Sequence, residues 1–170
     1  ALNPRCILSI LDYSLSYFLK NHFKNKMKLF DSHCHLQDPR ISEDLHSVMN
    51  RASMAGVSAM LCCGTSEQDW DKVIEISQKY ESVIPTFGIH PWFIATRTER
   101  WLDKLEWVLK SFPEAAVGEI GLDYTVKEGN EKEQLSVFID QLRLAAKLDR
   151  PVSIHCRKAW GELTDLLEKE

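Results

Sequence analysis

The feature that most constrains the fold is a regular alternation between short apolar runs and longer amphipathic ones. Five runs have the length and composition of buried strands: 28–33, 58–64, 83–89, 115–122 and 152–156. Between them, apolar residues recur at three- and four-residue spacing, which predicts helices over 42–55, 66–79, 98–112 and 130–148. Strands that alternate with helices pair in parallel through right-handed crossovers. Two α/β architectures obey this rule, an open doubly wound sheet and a barrel.

The positions of the polar residues favour the barrel. Residues two apart on a strand lie on the same side, so His33 and His35 share a side at the carboxyl end of the first strand. His90, Glu119 and His155 lie near the same end of three later strands. One site built from consecutive strand ends is typical of a barrel, whereas an open sheet binds ligands mainly at its switch point. Because a TIM barrel has eight such units and this chain shows five, we predict a TIM-type (β/α) barrel truncated after its fifth unit.

The segment before the first strand has a different character. Residues 6–26 lack the basic start and small-residue cleavage site of a signal peptide, and Asp12 interrupts an apolar stretch too short to span a bilayer. Met27 immediately precedes the first strand. We therefore predict that residues 1–26 are a non-native or upstream extension and that residues 27–170 form the barrel domain.

Composition argues against several classes of protein. A net charge of −4 does not suit a basic protein that coats nucleic acid, although metal ions bound in a cleft can reverse the local charge. The five cysteines contain no CxxC pair, which argues against a zinc ribbon or a disulfide framework. Reduced thiols favour a cytoplasmic protein, or a nuclear one in a eukaryote. Nothing in the sequence points to a membrane or to an obligate protein partner.

Four polar residues are candidate metal ligands: His33, His35, Glu119 and His155. Asp31 lies on the same side as the first two and is suited to orienting an imidazole. A carboxylate inside an apolar strand is unfavourable unless it is paired or bound to metal. The alternative interpretation of Glu119 is therefore a salt bridge to a lysine or arginine on a helix. The alternative for His155 is a hydrogen-bonded core histidine. Gly118 and Gly121 would weaken the fourth strand unless something approaches its backbone closely.

Further candidates surround these ligands. His90 in FGIHPW is predicted to contact the substrate or to support the ligands, and the other interpretation is that it holds the turn at Pro91. Arg157 follows the fifth strand and suits a phosphate or a carboxylate. Trp92 and Trp160 follow strand ends and can line the mouth of the site. Histidines combined with carboxylates fit zinc, manganese or cobalt, so the identity of the metal stays open.

The motifs FDSHCHL, GIHPW and AVGEIGLDY, and the run QLSVFIDQLRLAAKLDRPVSIHCRKAW, resemble in sequence and order the TatD family of metal-dependent deoxyribonucleases. The resemblance covers residues 28–170 and implies a TIM-barrel hydrolase that cleaves phosphodiester bonds of DNA, in some members of RNA. It implies two divalent ions, with magnesium added to manganese and zinc. Of the ligands it implies, His33 and His35 hold one ion, Glu119 bridges both, and His155 holds the second. A histidine after a sixth strand and an aspartate after an eighth are expected beyond Glu170.

Two other functions stay open. The HxH pattern also fits amidohydrolase-like enzymes that hydrolyse lactones, cyclic amides or phosphotriesters, although the GEIGLD setting favours the nuclease-like branch. The chain can instead be a non-catalytic fragment with exposed edges at its first and fifth strands. We predict a divalent-metal-dependent hydrolase acting on DNA, with Glu119 as the catalytic residue. The predicted metal ligands are His33, His35, Glu119 and His155. The predicted substrate contacts are His90 and Arg157.

Overall fold

Five parallel strands form the sheet in the computed structural model, which describes residues 28–126 and 131–169. They are β1 (Leu29–Cys34), β2 (Val57–Cys63), β3 (Val83–Phe87), β4 (Ala116–Asp123) and β5 (Val152–Arg157). The strands pair in the order of the sequence, and every pairing is parallel. The predicted α/β class and sequential strand order are confirmed, whereas the extension predicted over residues 1–26 lies outside the described residues.

The four helices predicted between the strands are each shorter than the sequence pattern indicates, and a separate helical turn precedes the first of them. In the described residues the α-helices are α1 (Pro39–Ser42), α2 (Leu45–Ala55), α3 (Trp70–Lys79), α4 (Trp101–Ser111), α5 (Glu131–Lys147) and α6 (Trp160–Leu167). The helix predicted from residue 66 starts at Trp70, because the Asp69 carboxylate accepts the backbone N–H groups of Thr65 and Ser66 and holds a turn there. None of the helices in this part of the chain is long and apolar enough to cross a bilayer.

The sheet curves until its two edge strands meet through their side chains. In a flat sheet, β1 and β5 would lie four strand spacings apart, roughly 19 Å. Instead, Nδ1 of His33 on β1 lies 3.0 Å from Oγ of Ser153 on β5. The thiol of Cys63 on β2 lies 3.8 Å from the same hydroxyl. This curvature is that of a TIM-type (β/α) barrel, and it brings the carboxyl ends of the five strands around one opening.

Alternation along the strands separates the apolar core from the barrel interior. The ring of Phe87 on β3 lies 6.2 Å from the ring of Trp70 on α3. It lies 5.9 Å from the ring of Phe112, the residue that follows α4 in the chain. Its neighbour Thr86 points the other way and donates to the carbonyl of Gly118 on β4 at 2.7 Å. Helices therefore cover the convex face, and polar side chains occupy the concave one.

The edge strands are the least covered part of the sheet. Leu29 and Phe30 of β1 and Val152 of β5 are exposed. By contrast, β4 is buried along its whole length. Glu119 thus lies on the best-protected strand.

Strand β3 ends at Phe87, two residues earlier than predicted, because a side chain replaces its strand partner. The Ile89 N–H donates to Oε1 of Gln141 on α5 at 2.7 Å, and the Ile89 carbonyl accepts from Nε2 of the same amide at 3.2 Å. The next backbone N–H, that of His90, donates to the Thr65 carbonyl at 2.8 Å. These bonds draw the chain out of the sheet and place His90 at the opening.

Strand β5 approaches β4 too closely for any side chain at Gly121. The φ angle of Gly121 is +147°, a conformation that favours glycine. A Cβ atom built there would lie 1.9 Å from the carbonyl oxygen of His155. The close backbone approach expected at this glycine therefore comes from the neighbouring strand.

Gly121→Ala is expected to destabilise the protein by roughly 2–5 kcal/mol, because the methyl group overlaps the His155 carbonyl and the backbone angle is strained. Gly161→Ala in α6 is the matched control, since no atom lies within 4 Å of its Cβ position and alanine favours a helix by up to about 1 kcal/mol over glycine. Urea unfolding followed by circular dichroism measures both variants. Equal stability of the two would contradict the close strand approach.

Candidate metal centre

Four histidines surround the buried carboxylate of Glu119 at the opening of the barrel. Its Oε2 atom lies 3.2 Å from Nε2 of His33 and 3.3 Å from Nε2 of His35. Its Oε1 atom lies 3.0 Å from Nδ1 of His155 and 3.7 Å from Nε2 of His90. The structure brings together His33, His35, Glu119 and His155, the four predicted metal ligands, and places His90 beside them. Each carboxylate oxygen faces a different pair of imidazoles.

His33 and His35 both present Nε2 to Glu119. Nδ1 of His35 donates to the Cys63 carbonyl at 2.8 Å, so in the neutral ring the lone pair is on Nε2. Nδ1 of His33 has the Ser153 hydroxyl as its partner, which is consistent with the same tautomer. The two Nε2 atoms are 3.2 Å apart.

These spacings fit a shared cation. Two ligands bound to one ion at about 2.1 Å, at angles of roughly 90–110°, lie about 3.0–3.4 Å apart. The separations among His33 Nε2, His35 Nε2 and Glu119 Oε2 are 3.2 to 3.3 Å. Two nitrogen lone pairs and one carboxylate oxygen are a donor set that divalent transition metals prefer. The residues present therefore fit a metal ion.

His155 is held between two carboxylates. Its Nδ1 atom lies 3.0 Å from Oε1 of Glu119, and its Nε2 atom lies 3.1 Å from Oδ2 of Asp123. If Nε2–H donates to Asp123, the lone pair of the neutral ring is on Nδ1 and faces Glu119. His155 and Glu119 thus form a second pair of donor atoms, next to the first set.

His90 lies close to this second pair but offers a proton instead of a lone pair. The ligand atoms of His90, Glu119 and His155 lie within 4.8 Å of one another. However, Nδ1 of His90 accepts the backbone N–H of Trp92 at 3.1 Å, so its Nε2 carries the hydrogen when the ring is neutral. Burial lowers the pKa of His90 to about 4, which keeps it neutral at pH 7. This arrangement favours a contact to substrate over metal ligation.

The charge at the centre of the site belongs to Glu119. Burial raises the pKa of this carboxyl, but the hydrogen bond with His35 and the neighbouring imidazoles outweigh burial and lower it to about 2. That hydrogen bond forms when the ring of His35 is protonated and Nε2 also carries a hydrogen, and it raises the pKa of His35. Binding of a metal ion at Nε2 requires this hydrogen to leave. At neutral pH the site therefore contains an ionised carboxylate, as cation binding requires.

A cavity of about 510 Å³ opens above the carboxylate, within the size range of small-ligand sites. His90 and Trp92 form part of its wall, and Arg40 lies at its rim in an ion pair with Asp38 at 2.6 Å. Sequence reasoning did not single out Arg40. Arg157, the predicted substrate contact, is exposed at the end of β5 and does not line this cavity.

Sequence reasoning also missed Asp123, the last residue of β4, which is fully buried. Its Oδ2 atom accepts from Nε1 of Trp92 at 2.8 Å and from Nε2 of His155 at 3.1 Å. Its Oδ1 atom accepts the N–H and O–H of Thr125 at 2.9 and 2.6 Å. Burial raises the pKa of this carboxyl, but these hydrogen bonds outweigh it and leave the pKa below its usual range. The available signal was its spacing of four from Glu119 on an apolar strand, which places both on one side.

Asp31 has a different role from the one expected. Its carboxylate accepts the backbone N–H of His33 at 3.1 Å, so it shapes the strand. The groups bonded to the two imidazole rings are instead the Ser153 hydroxyl and the Cys63 carbonyl.

Comparison with known proteins places the chain in a family. The family described as TatD related DNase matches residues 30–170. The 3'-5' ssDNA/RNA exonuclease TatD of Cronobacter sakazakii is 34% identical over 140 residues, which cover 82% of this chain and 53% of that protein. The deoxyribonuclease TATDN3 of Homo sapiens is 31% identical over 155 residues, which cover 84% of this chain and 57% of that protein.

A solved structure shares the fold. The crystal structure of YjjV, a TatD homolog from Escherichia coli, matches with a TM-score of 0.79 and 29% identity, covering 83% of this chain and 55% of that one. YjjV is named as a metal-dependent hydrolase. The chain spans about half the length of the relatives it matches. On the match over residues 30–170, supported by the common barrel fold, this chain belongs to the family of TatD related DNases.

Proposed function

We propose that this protein is a divalent-metal-dependent hydrolase that cleaves phosphodiester bonds of DNA. The observation that carries the proposal is the position of Glu119, whose two oxygens face separate imidazole groups. The relatives named as a deoxyribonuclease and as an exonuclease support DNA as the substrate. Action in the cytoplasm, or in a nucleus, without an obligate protein partner stays a prediction.

We propose that the site holds two divalent metal ions, and that the metal is magnesium, manganese or zinc. His33 and His35 would hold one ion together with Glu119, and His155 would hold the other with the second oxygen of the same carboxylate. This assignment is supported by the lone pairs that face Glu119 and by the spacings of the donor atoms. Divalent cations at such a site lower the pKa of a water and stabilise the charge that builds on phosphate oxygens.

The chain's own residues position the substrate. Neutral His90 keeps a hydrogen on Nε2, which lies 3.7 Å from Oε1 of Glu119 on the wall of the cavity, where it can donate to a phosphate oxygen. Arg157 is exposed at the end of β5 and forms no ion pair within the described residues, so its guanidinium is available to a phosphate outside the cavity. Asp123 holds the ring of His155 in place. Glu119, buried on β4, fixes the two sets of donor atoms relative to each other.

The proposal is tested on the protein encoded by the complete reading frame, with a labelled DNA oligonucleotide and manganese. Cleavage that disappears with EDTA and returns with added metal is the expected result. A lactone assayed in parallel separates the wider amidohydrolase class, because turnover of the lactone without cleavage of DNA would favour that class. Cleavage of DNA that survives complete chelation would contradict the proposal.

Among the site residues named here, Glu119→Ala is expected to be the most damaging single change. It should lower kcat by more than about 100-fold, which is the largest loss typical of a residue that only supports a metal ligand. One substitution removes donors from both ions. His35→Ala removes one ligand and should regain activity at high manganese concentration. His46→Ala, an exposed histidine on α2, is the control and should cleave like the wild type. A Glu119→Ala protein that retains the wild-type rate would overturn the role of the carboxylate.

Asp123→Asn is expected to weaken manganese binding by about 10–100-fold. The carboxylate of Asp123 accepts hydrogen bonds from Trp92, Thr125 and His155, whereas the amide of asparagine presents N–H groups to some of these donors. An N–H group facing Nε2 of His155 favours the tautomer with the hydrogen on Nδ1, the atom that faces Glu119. Isothermal titration with manganese measures the affinity independently of activity. Asp103→Asn, an exposed aspartate on α4, is the control. Unchanged affinity in Asp123→Asn would show that Asp123 does not orient the ligand.

Arg157→Ala is expected to raise KM for DNA about tenfold and to change kcat little, because a charge-assisted hydrogen bond to phosphate is lost while the donor atoms around Glu119 stay in place. The difference should shrink as salt is added. Lys72→Ala on α3 removes the same charge from the outer helical layer and is the control. Steady-state kinetics at two salt concentrations measure both variants. A fall in kcat at constant KM would place Arg157 in the chemical step instead.

A further inference from the structure

Trp92 is a large aromatic side chain with much of its surface in solvent at the wall of the cavity. It is the second residue of a 3-10 helix, Pro91–Thr96, that follows β3. The exposed fraction of its surface is 57%. It lines the same cavity as Glu119 and His155.

Exposure alone does not distinguish Trp92, because Trp107 and Trp160 are exposed by 69% and 66% and isolated exposed aromatics are common. The difference is how the indole is fixed. Nε1 of Trp92 donates to the buried carboxylate of Asp123 at 2.8 Å. Within the described residues, neither of the other two indole nitrogens has a hydrogen-bond partner. Trp92 alone among the three is held in one orientation from within the barrel.

Two further contacts reinforce this orientation. The backbone N–H of Trp92 donates to Nδ1 of His90 at 3.1 Å. The rings of the two residues lie 5.0 Å apart at 81°, in an edge contact. The polar atom of the indole is therefore satisfied on the protein side, and the exposed part of the ring offers only apolar π-surface. A flat aromatic ligand is the chemistry that such a surface accepts.

The exposed ring of Trp92 lies close enough to Glu119 to contact a base of the substrate. The Trp92 ring is 6.3 Å from the ring of His155, which in turn contacts Glu119 at 3.0 Å. A nucleobase is joined to its phosphate through a single sugar. A phosphate bound by cations held at Glu119 would therefore have its adjacent base within reach of this wall of the cavity.

We infer that Trp92 stacks on the nucleobase next to the scissile phosphate, an inference that rests on the proposed hydrolysis of DNA. Stacking on a fixed aromatic ring orders the substrate without ordering the protein, and it tolerates any base because each base has a π-face. Trp92 thereby sets the position of the phosphate relative to Glu119 without selecting a sequence.

The first test compares KM and kcat for a single-stranded oligonucleotide in the complete protein loaded with manganese. Trp92→Ala is expected to raise KM by about 5–150-fold, the range measured for loss of one stacked base, with a smaller change in kcat. Trp92→Phe keeps a ring but loses the bond to Asp123, so its KM should rise less. Trp107→Ala on α4 is the matched control and should leave KM unchanged. A KM for Trp92→Ala equal to that of the control overturns the inference.

An oligonucleotide with one abasic residue separates stacking from a purely structural role. The wild type should bind this substrate more weakly when the abasic residue lies next to the cut. Trp92→Ala should show no further loss with that substrate, because the base that would stack is already absent. Equal weakening of intact and abasic substrates by Trp92→Ala would show that Trp92 only supports the fold of the site.

Failure of the proposed function gives a different result. If the wild type cleaves no oligonucleotide, hydrolysis of DNA is disproved, and binding of the uncut strand then decides the role of Trp92. A stacked base quenches tryptophan fluorescence, so quenching in the wild type that is lost in Trp92→Ala supports stacking. Absence of quenching in the wild type overturns it.

Discussion

The buried negative charge of Glu119 is the constraint on which the rest of the interior depends. An ionised carboxylate inside an apolar strand is unfavourable by several kcal/mol unless nearby groups compensate it. Here four imidazoles, delivered by β1, by β5 and by the segment after β3, place nitrogen atoms within 3.7 Å of its oxygens, where an N–H group or a shared cation offsets the charge. Groups from opposite edges of a five-stranded sheet reach one carboxylate only if the sheet is strongly curved. Compensation of this charge and closure toward a barrel are therefore one requirement.

Two glutamines of α5 hold the strand ends that carry the site. Gln134 and Gln141 lie seven residues apart, about two helical turns, so they project from the same face. Both are buried. Gln134 exchanges two hydrogen bonds with the backbone of Asp123, as Gln141 does with that of Ile89. Each side-chain amide satisfies backbone groups that would otherwise be buried without partners. Gln134 thereby fixes Asp123, and Gln141 fixes Ile89 and with it the next residue, His90.

The parts of this structure that could be predicted from the sequence are those that depend on local periodicity. The two-residue periodicity of each strand places His33 and Glu119 on the interior side. The alternation of strands with helices predicts parallel pairing of neighbouring strands. The parts that could not be predicted depend on pairs far apart in the chain. Asp123 meets Trp92 and His155 across 31 and 32 residues, and the early end of β3 depends on an amide 52 residues away. Periodicity contains no information about such pairs.

One oxygen atom links the two halves of the site. Oδ2 of Asp123 accepts from both the indole of Trp92 and the imidazole of His155. Because the second oxygen is held by Thr125, the carboxylate cannot rotate toward one partner without breaking other bonds. The orientation of a candidate metal ligand and that of the cavity wall are thus set by the same buried group, before any substrate is present. Such preorganisation lowers the entropy lost on binding, and it explains why a fully buried acid lies beside an exposed tryptophan: the acid holds the ring still, while the exposed part of the ring remains available to a ligand.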